Sequence, residues 1–299
     1  MLALGSSQFL RDPFLLAGAP LKLITQQTIR EINANSSNEA GLIRLLLGSL
    51  EIVDAVSGLS TRQHTNYFVL GTSLFKGRTS EAVSRKLSDV GVSSRSVDRY
   101  LRSSIKQQSF YLDLLLEAGE YFSRTRKGQH LAAFVHLYRL LERVAFAFPV
   151  IYAGATHDYK KAYTALKSYL SDKSAGELKF FQVFQDSTID AAFLDATLKF
   201  DMSAIPGDSK GSTVAVISRL IDPSSLVSGA GGVFEIKCGG VLHLFINVRN
   251  RFFHFGSDHV QNIGMSEIKD SDVFFGRLNN NFLNWIAFIY GQIIVRKCG

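Results

Sequence analysis

The stretch VLHLFINVRNRFFHF, from Val241 to Phe255, decides how this chain is read. Leu244, Val248, Phe252 and Phe255 recur at three- and four-residue steps, with Leu242 and Phe245 alongside, which is the apolar stripe of a core-facing helix. His243, Asn247, Asn250 and His254 form a second, polar stripe at steps of four, three and four. Such groups are costly to bury unless paired. The polar stripe is therefore either a satisfied network or a face that meets something needing charge and a proton carrier. At 100° per residue, Arg249 lies about 140° from His254. The two share a cleft only if Arg249 extends around the helix or the helix ends near His254.

Outward from this stretch the apolar spacing is helical almost throughout. Helices are expected over 38–58, 67–75, 80–87, 96–123, 129–150 (ending near Pro149), 159–170, 191–199, 213–221, 238–254 and 274–296. The segments 203–212 and 223–232, rich in Gly, Ser and Pro, read as loops, as does the polar segment 256–272. Strand-like alternation is nearly absent. The expectation is an all-α chain: a small N-terminal helical unit over 1–108 and a larger helical bundle over 109–299.

Of 299 residues, 46% are hydrophobic and 20% charged, a balance that suits a folded globular protein rather than a disordered one. The net charge of +7 favours polyanionic partners such as nucleic acid. Two cysteines, Cys238 and Cys298, are too few for a disulfide framework or a dedicated zinc site and suit a reducing compartment. The start, MLALGSSQFLRDPFLL, lacks the basic and long apolar regions of a signal peptide. The apolar run 282–295 is too short to span a bilayer and is interrupted by Asn284 and Gln292. A cytoplasmic protein without a membrane partner, metal or cofactor is expected.

Arg249-Asn250-Arg251-Phe252-Phe253-His254 resembles the signature of the HEPN superfamily: an arginine, then Asn, Asp or His, then a histidine after four to six intervening residues. The placement on a late helix, with one more long helix after it, is similar too, and the resemblance covers about 109–299. It implies an all-α bundle that pairs with a second copy, so that two arginines and two histidines share a cleft. It implies Arg249 and His254 as catalytic residues, with Asn250 orienting the histidine or holding a phosphate oxygen. An upstream acid often braces the arginine in such domains, and "YRLLERV" supplies Glu142. Family members often serve as toxins or as antiviral, abortive-infection effectors. RNA is then the implied substrate, with an antitoxin or a defence complex as a further partner.

Such residues suit RNA cleavage in which the 2′-hydroxyl attacks the adjacent phosphate. Histidine moves protons near neutral pH, and an arginine fork stabilises the crowded phosphorane. No carboxylate or Cys/His cluster suited to metal-dependent cleavage is evident in the sequence. Blander readings stand beside these. His254 could be a core histidine, and Arg249 with Glu142 a structural ion pair. His243 and Asn247 read as structural neighbours of the stripe, and Arg251 as either an RNA contact or a solvated cation. An inactive HEPN-like module that only binds or dimerises is also open.

A second signal belongs to another class. "SRKLSDVGVSSRSVDRYL", Ser84 to Leu101, resembles a helix-turn-helix over 80–102, with Gly91 at the turn. Val97 and Leu101 would point inward; Ser94, Arg95 and Asp98 would face a groove. Residues 76–106 hold eight Lys or Arg against three acids. Lys86, Arg95 and Arg99 are thus candidate nucleic-acid contacts, for DNA in a regulator or for guiding RNA.

Overall fold

The structure, a computed structural model, describes residues 8–11, 37–48, 51–54, 60–69, 73–74, 93–154, 158–169, 177–253 and 262–298. The chain divides into two compact units: residues 1–127 with 287–299, and residues 128–286. The division expected at 108/109 therefore falls earlier than the observed one, at the start of a helix that belongs wholly to the first unit.

In the first unit, α1 (Asn38–Leu46) is buried along almost its whole length. It ends far short of Gly58, because Gly48 takes φ +76° and the chain turns into strand β2 (Glu51–Asp54). A side chain at Gly48 would meet the His64 carbonyl carbon at 2.8 Å, so this turn needs glycine. Strand β2 pairs antiparallel with β1 (Gln8–Arg11) on one side and β3 (Ser60–Arg62) on the other. Gln63 then ties this end together, its amide donating to the carbonyls of Leu45 at 2.6 Å and Thr65 at 2.7 Å. The segment expected to be helical over 67–75 holds a turn and β5 (Ser73–Leu74), which pairs with β4 (Thr65–Asn66).

The helix expected over 96–123 is two: α2 (Ser94–Ser104) and α3 (Gln108–Arg126), separated by a 3₁₀ turn. Ser103 and Ser104 donate back to the carbonyls of Tyr100 and Leu101, at 2.6 and 2.8 Å, competing with the helix ladder where it breaks. Helix α3 packs on α1, and Asn38 donates two hydrogen bonds to Gln108, from its backbone N–H and its side-chain amide, where the two helices begin.

A buried carboxyl sits inside this unit. Glu39 Oε1 accepts from the hydroxyls of Tyr100 at 2.6 Å and Tyr290 at 2.5 Å, with Tyr111 3.4 Å from Tyr100. Burial pushes the Glu39 carboxyl above its ordinary 4.5, against the opposing effect of these hydroxyls. A carboxyl raised on folding stabilises the fold fully below its unfolded pKa, and that contribution is lost as pH rises toward the folded value. Glu39→Gln should therefore flatten the decline in stability between mildly acidic and alkaline pH, measured as unfolding midpoint against pH.

The second unit begins with α4 (His130–Gly154), which runs through Pro149 rather than stopping there. The missing donor is outweighed by packing beyond it: Phe148 meets Phe181 and Tyr152 meets Phe184, both on α6 (Glu177–Thr188). Helix α5 (Tyr159–Tyr169) lies between them in the chain, close to the expected bounds. The window 191–199 holds only a short helix, α7 (Ala191–Asp195), capped by Asp190, before strand β6 (Thr197–Asp201). Residues expected as loops become the start of α8 (Gly207–Leu220) and strand β7 (Leu226–Ala230). Strand β8 (Val233–Lys237) lies between β7 and β6 in an antiparallel sheet. Gly231 and Gly232, both at positive φ, make the two-residue turn joining β7 to β8.

The described residues are thus mostly helical, as expected, but the expectation of an all-α chain is corrected by these antiparallel sheets. Strand β8 leads directly into α9 (Cys238–Phe253), and α10 (Met265–Ile268) and α11 (Ser271–Cys298) complete the chain. The part of α11 from Ala287 belongs to the first unit. No described helix is long and apolar enough to cross a membrane.

Helix α9 is seated in an aromatic core. Phe245 stacks on Phe282 with ring centres 4.1 Å apart, and Phe134 contacts both Phe245 and Phe275. The Trp285 indole donates to the Cys238 carbonyl at 3.0 Å. At the start of the helix, a side chain on Gly240 would lie 2.2 Å from Ser225 Cβ. Gly240→Ala must therefore push α9 away from the 223–225 turn, and a destabilisation of about 1–3 kcal/mol or more is expected in denaturant unfolding.

Candidate functional site

Helix α9 presents its polar stripe as the spacing predicts. His243 and Asn250 are exposed and Asn247 is half-buried, while Val241, Leu242, Leu244, Phe245 and Val248 are buried. The members of the stripe do different things. Asn247 donates to the carbonyl of Leu220, the last residue of α8, at 2.9 Å, and lies 3.4 Å from His243 Nδ1. His243 also faces Asp222, whose carboxyl is held below the usual range chiefly by the Ser224 N–H and hydroxyl, with a small contribution from His243. Asn247 thus fastens α9 to the end of α8, and His243 packs beside it on the same helix face.

Arg249 and Asn250 stand in the last turns of α9. The guanidinium lies 4.9 Å from the centre of the Tyr138 ring, and its Nη1 donates to Asn250 Oδ1 at 3.0 Å. A planar cation over an aromatic face is held there by the ring quadrupole. Burial raises the Tyr138 hydroxyl pKa, Arg249 pulls it down, and Glu142 pushes it up. Glu142 is exposed and lies one helical turn beyond Tyr138. The Tyr138 ring, four residues before Glu142 on α4, occupies the face toward Arg249.

His254 lies outside the described residues, as do Phe255, Lys86 and the helix-turn-helix positions before Ser93. Their flanks are informative. Arg251, half-buried, offers its backbone carbonyl to the N–H of Ile263 at 2.8 Å. The chain on either side of 254–261 is thereby pinned together. Beyond it, Arg219 on α8 grips Glu267 through two hydrogen bonds, at 2.6 and 3.0 Å, and also donates to the Asn262 carbonyl at 3.1 Å. Glu267 in turn accepts from the Gly264 N–H at 2.7 Å. Its carboxyl is held below the usual range, first by the Arg219 hydrogen bonds. A bidentate pair fixes geometry as well as charge, so Asn262 and Glu267 are clamped to α8.

Tyr138 and the Arg219–Glu267 clamp were not signalled by the sequence. Arg219 and Glu267 are 48 residues apart and share no local pattern. Tyr138 sits in the same "YRLLERV" that supplies Glu142, and its ring contacts the Arg249 guanidinium. Of the basic candidates, Arg95 and Arg99 are exposed on α2. Cys238 is buried, and burial pushes its thiol up to about 12; Cys298 is raised to about 11. Both are free thiols. Among the described residues no group of three or more His, Cys, Asp or Glu could hold a metal ion. Set against protein-family models, curated proteins and solved structures, the chain has no significant match in any of the three.

Proposed function

We propose that this protein is a metal-independent endoribonuclease of HEPN type, with Arg249 and His254 as its catalytic pair. The observation that carries this reading is Arg249 itself. A cation is held by the Tyr138 ring and by Asn250 in the last turns of α9, five residues along the chain from the histidine of the motif. A preorganised fork of this kind suits the charge that builds on a phosphorane, since the ring fixes the orientation of the guanidinium. His254 moves the protons: it takes one from the 2′-hydroxyl, and an imidazole returns one to the departing 5′-oxygen. The products are a 2′,3′-cyclic phosphate end and a 5′-hydroxyl end.

In this reading the active form is a homodimer in which two α9 helices face a common cleft. The domain is then an HEPN-like helical bundle that carries an additional small sheet. The protein acts in the cytoplasm as a toxin or as an antiviral, abortive-infection effector, with an antitoxin or a defence complex as its controlling partner. The test is cleavage of RNA by the wild-type protein with EDTA present, with end-group analysis of the products. Cleavage that survives Arg249→Ala and His254→Ala unchanged overturns the assignment.

A further inference from the structure

Four cations line one side of α2 and the 3₁₀ turn that continues it. At 100° per residue, Arg95, Arg99, Arg102 and Lys106 fall within roughly 70° of one another, allowing for the tighter final turn. All four are exposed. The opposite side carries Val97 and Leu101, both 0% exposed, and Ser104 at 5%, with the Tyr100 hydroxyl bonded to Glu39. The stripe is therefore the solvent face of a helix whose other face is sealed into the first unit.

None of the four cationic side chains has an ion pair or hydrogen bond among the described residues. The one acid of 94–107 is Asp98, leaving an excess of three positive charges along about 16 Å of helix, at ~1.5 Å per residue. Cations in one row with a single acid among them repel one another. An anionic partner with regularly repeated charge relieves that repulsion.

We infer that this stripe binds single-stranded RNA through its phosphodiester backbone. Three of the four cations are arginine, whose planar fork matches a phosphate better than the ammonium of lysine does. The charge runs the whole length of the helix instead of gathering at its N-terminal end, where a groove-inserted recognition helix meets bases. It also forms a single line, which follows one strand; a helix lying in a groove has a backbone on each flank. Contacts of this kind hold the strand without reading its sequence. The site lies outside the span of the HEPN resemblance, and binding there stands whether or not the second unit cleaves RNA.

The test uses the full-length chain carrying His254→Ala, so that cleavage does not blur the measurement, and a fluorescently labelled oligouridine. The reference protein binds it, and Arg99→Gln/Arg102→Gln weakens binding about tenfold. The slope of log affinity against log salt becomes shallower by roughly 0.7 per removed cation, or about 1.4 in all. Arg99→Lys/Arg102→Lys keeps most of the affinity. Lys160→Gln/Lys167→Gln, which removes the same charge from exposed positions of α5, changes little. Unchanged binding in the arginine double variant overturns the inference, as does an equal loss in the lysine control. So does sequence-selective binding of duplex DNA, or of anionic vesicles, in preference to RNA. Failure of cleavage by the wild type leaves these binding results intact and bears only on the catalytic reading.

Discussion

Replacing His254 by alanine should lower RNA cleavage by about 10²- to 10⁴-fold, the usual contribution of a positioned general acid–base group. Arg249→Ala should cost a comparable factor, for a different reason: it removes the charge that meets the phosphorane. Arg249→Lys separates charge from shape. A lysine keeps the positive charge but loses the planar fork, and with it the fit to both phosphate and the Tyr138 ring. Most of the loss should therefore persist in the lysine variant, and it should fall on kcat more than on KM. Glu142→Gln should leave the rate within a few-fold, since that acid is exposed and Tyr138 and Asn250 contact the guanidinium. The measurement is initial rate of RNA cleavage in EDTA, with unfolding midpoints checked for each variant. Equal rates for wild type and His254→Ala would remove the catalytic assignment.

Phe245→Ala should be strongly damaging to the second unit. The ring is fully buried and stacks on Phe282 at 4.1 Å, while Phe134 and Tyr138 pack against it at 5.4 and 5.8 Å. Removing a buried phenyl group costs about 3–5 kcal/mol, from lost transfer energy and from the cavity left behind. For a unit of this size that corresponds to a fall in Tm of roughly 6–20 °C. Phe253, two turns further along α9 and 39% exposed, should lose far less when cut to alanine. The contrast separates core packing from the end of the helix. Calorimetry or denaturant unfolding of the two variants decides it, and similar losses would contradict the packing described.

Much of the second unit was legible before any coordinates. The 3.6-residue spacing placed α9 at 238–254 against an observed Cys238–Phe253, and α11 at 274–296 against Ser271–Cys298. Both are long and strongly periodic, so local pattern and burial agree. The small sheet was not legible, because its strands are short. Strand β6 offers five residues of alternation directly behind the helical turn Ala191–Asp195, and the two blend in a sequence window. Helix α8 opens on Gly207 and a Gly-Asp-Ser-Lys-Gly composition that reads as loop. It is helical because Thr213, Val216, Ile217 and Leu220 are buried, which is a tertiary effect that overrides propensity. Helix α6 is absent from the sequence expectation altogether.

The site divides in the same way. The exposed stripe of α9 follows from arithmetic on one helix, and His243, Asn247 and Asn250 lie where that arithmetic puts them. What supports Arg249 comes from another helix, and nothing in a linear pattern distinguishes Tyr138 from Glu142 as the contacting residue. The Arg219–Glu267 clamp is further still from local reading, since it joins two elements only after the chain has folded.

The hydrogen bond from Tyr290 to Glu39 joins residues 251 apart, and its later partner emerges from the ribosome only after the whole of the second unit. A chain growing from its N-terminus exposes Glu39 long before that tyrosine exists. The first unit therefore has to wait, incompletely bonded, while the whole of the second is synthesised. Nascent chains stalled before residue 287 should accordingly resist proteases through the later-made segment first, reversing the order in which the two units enter translation.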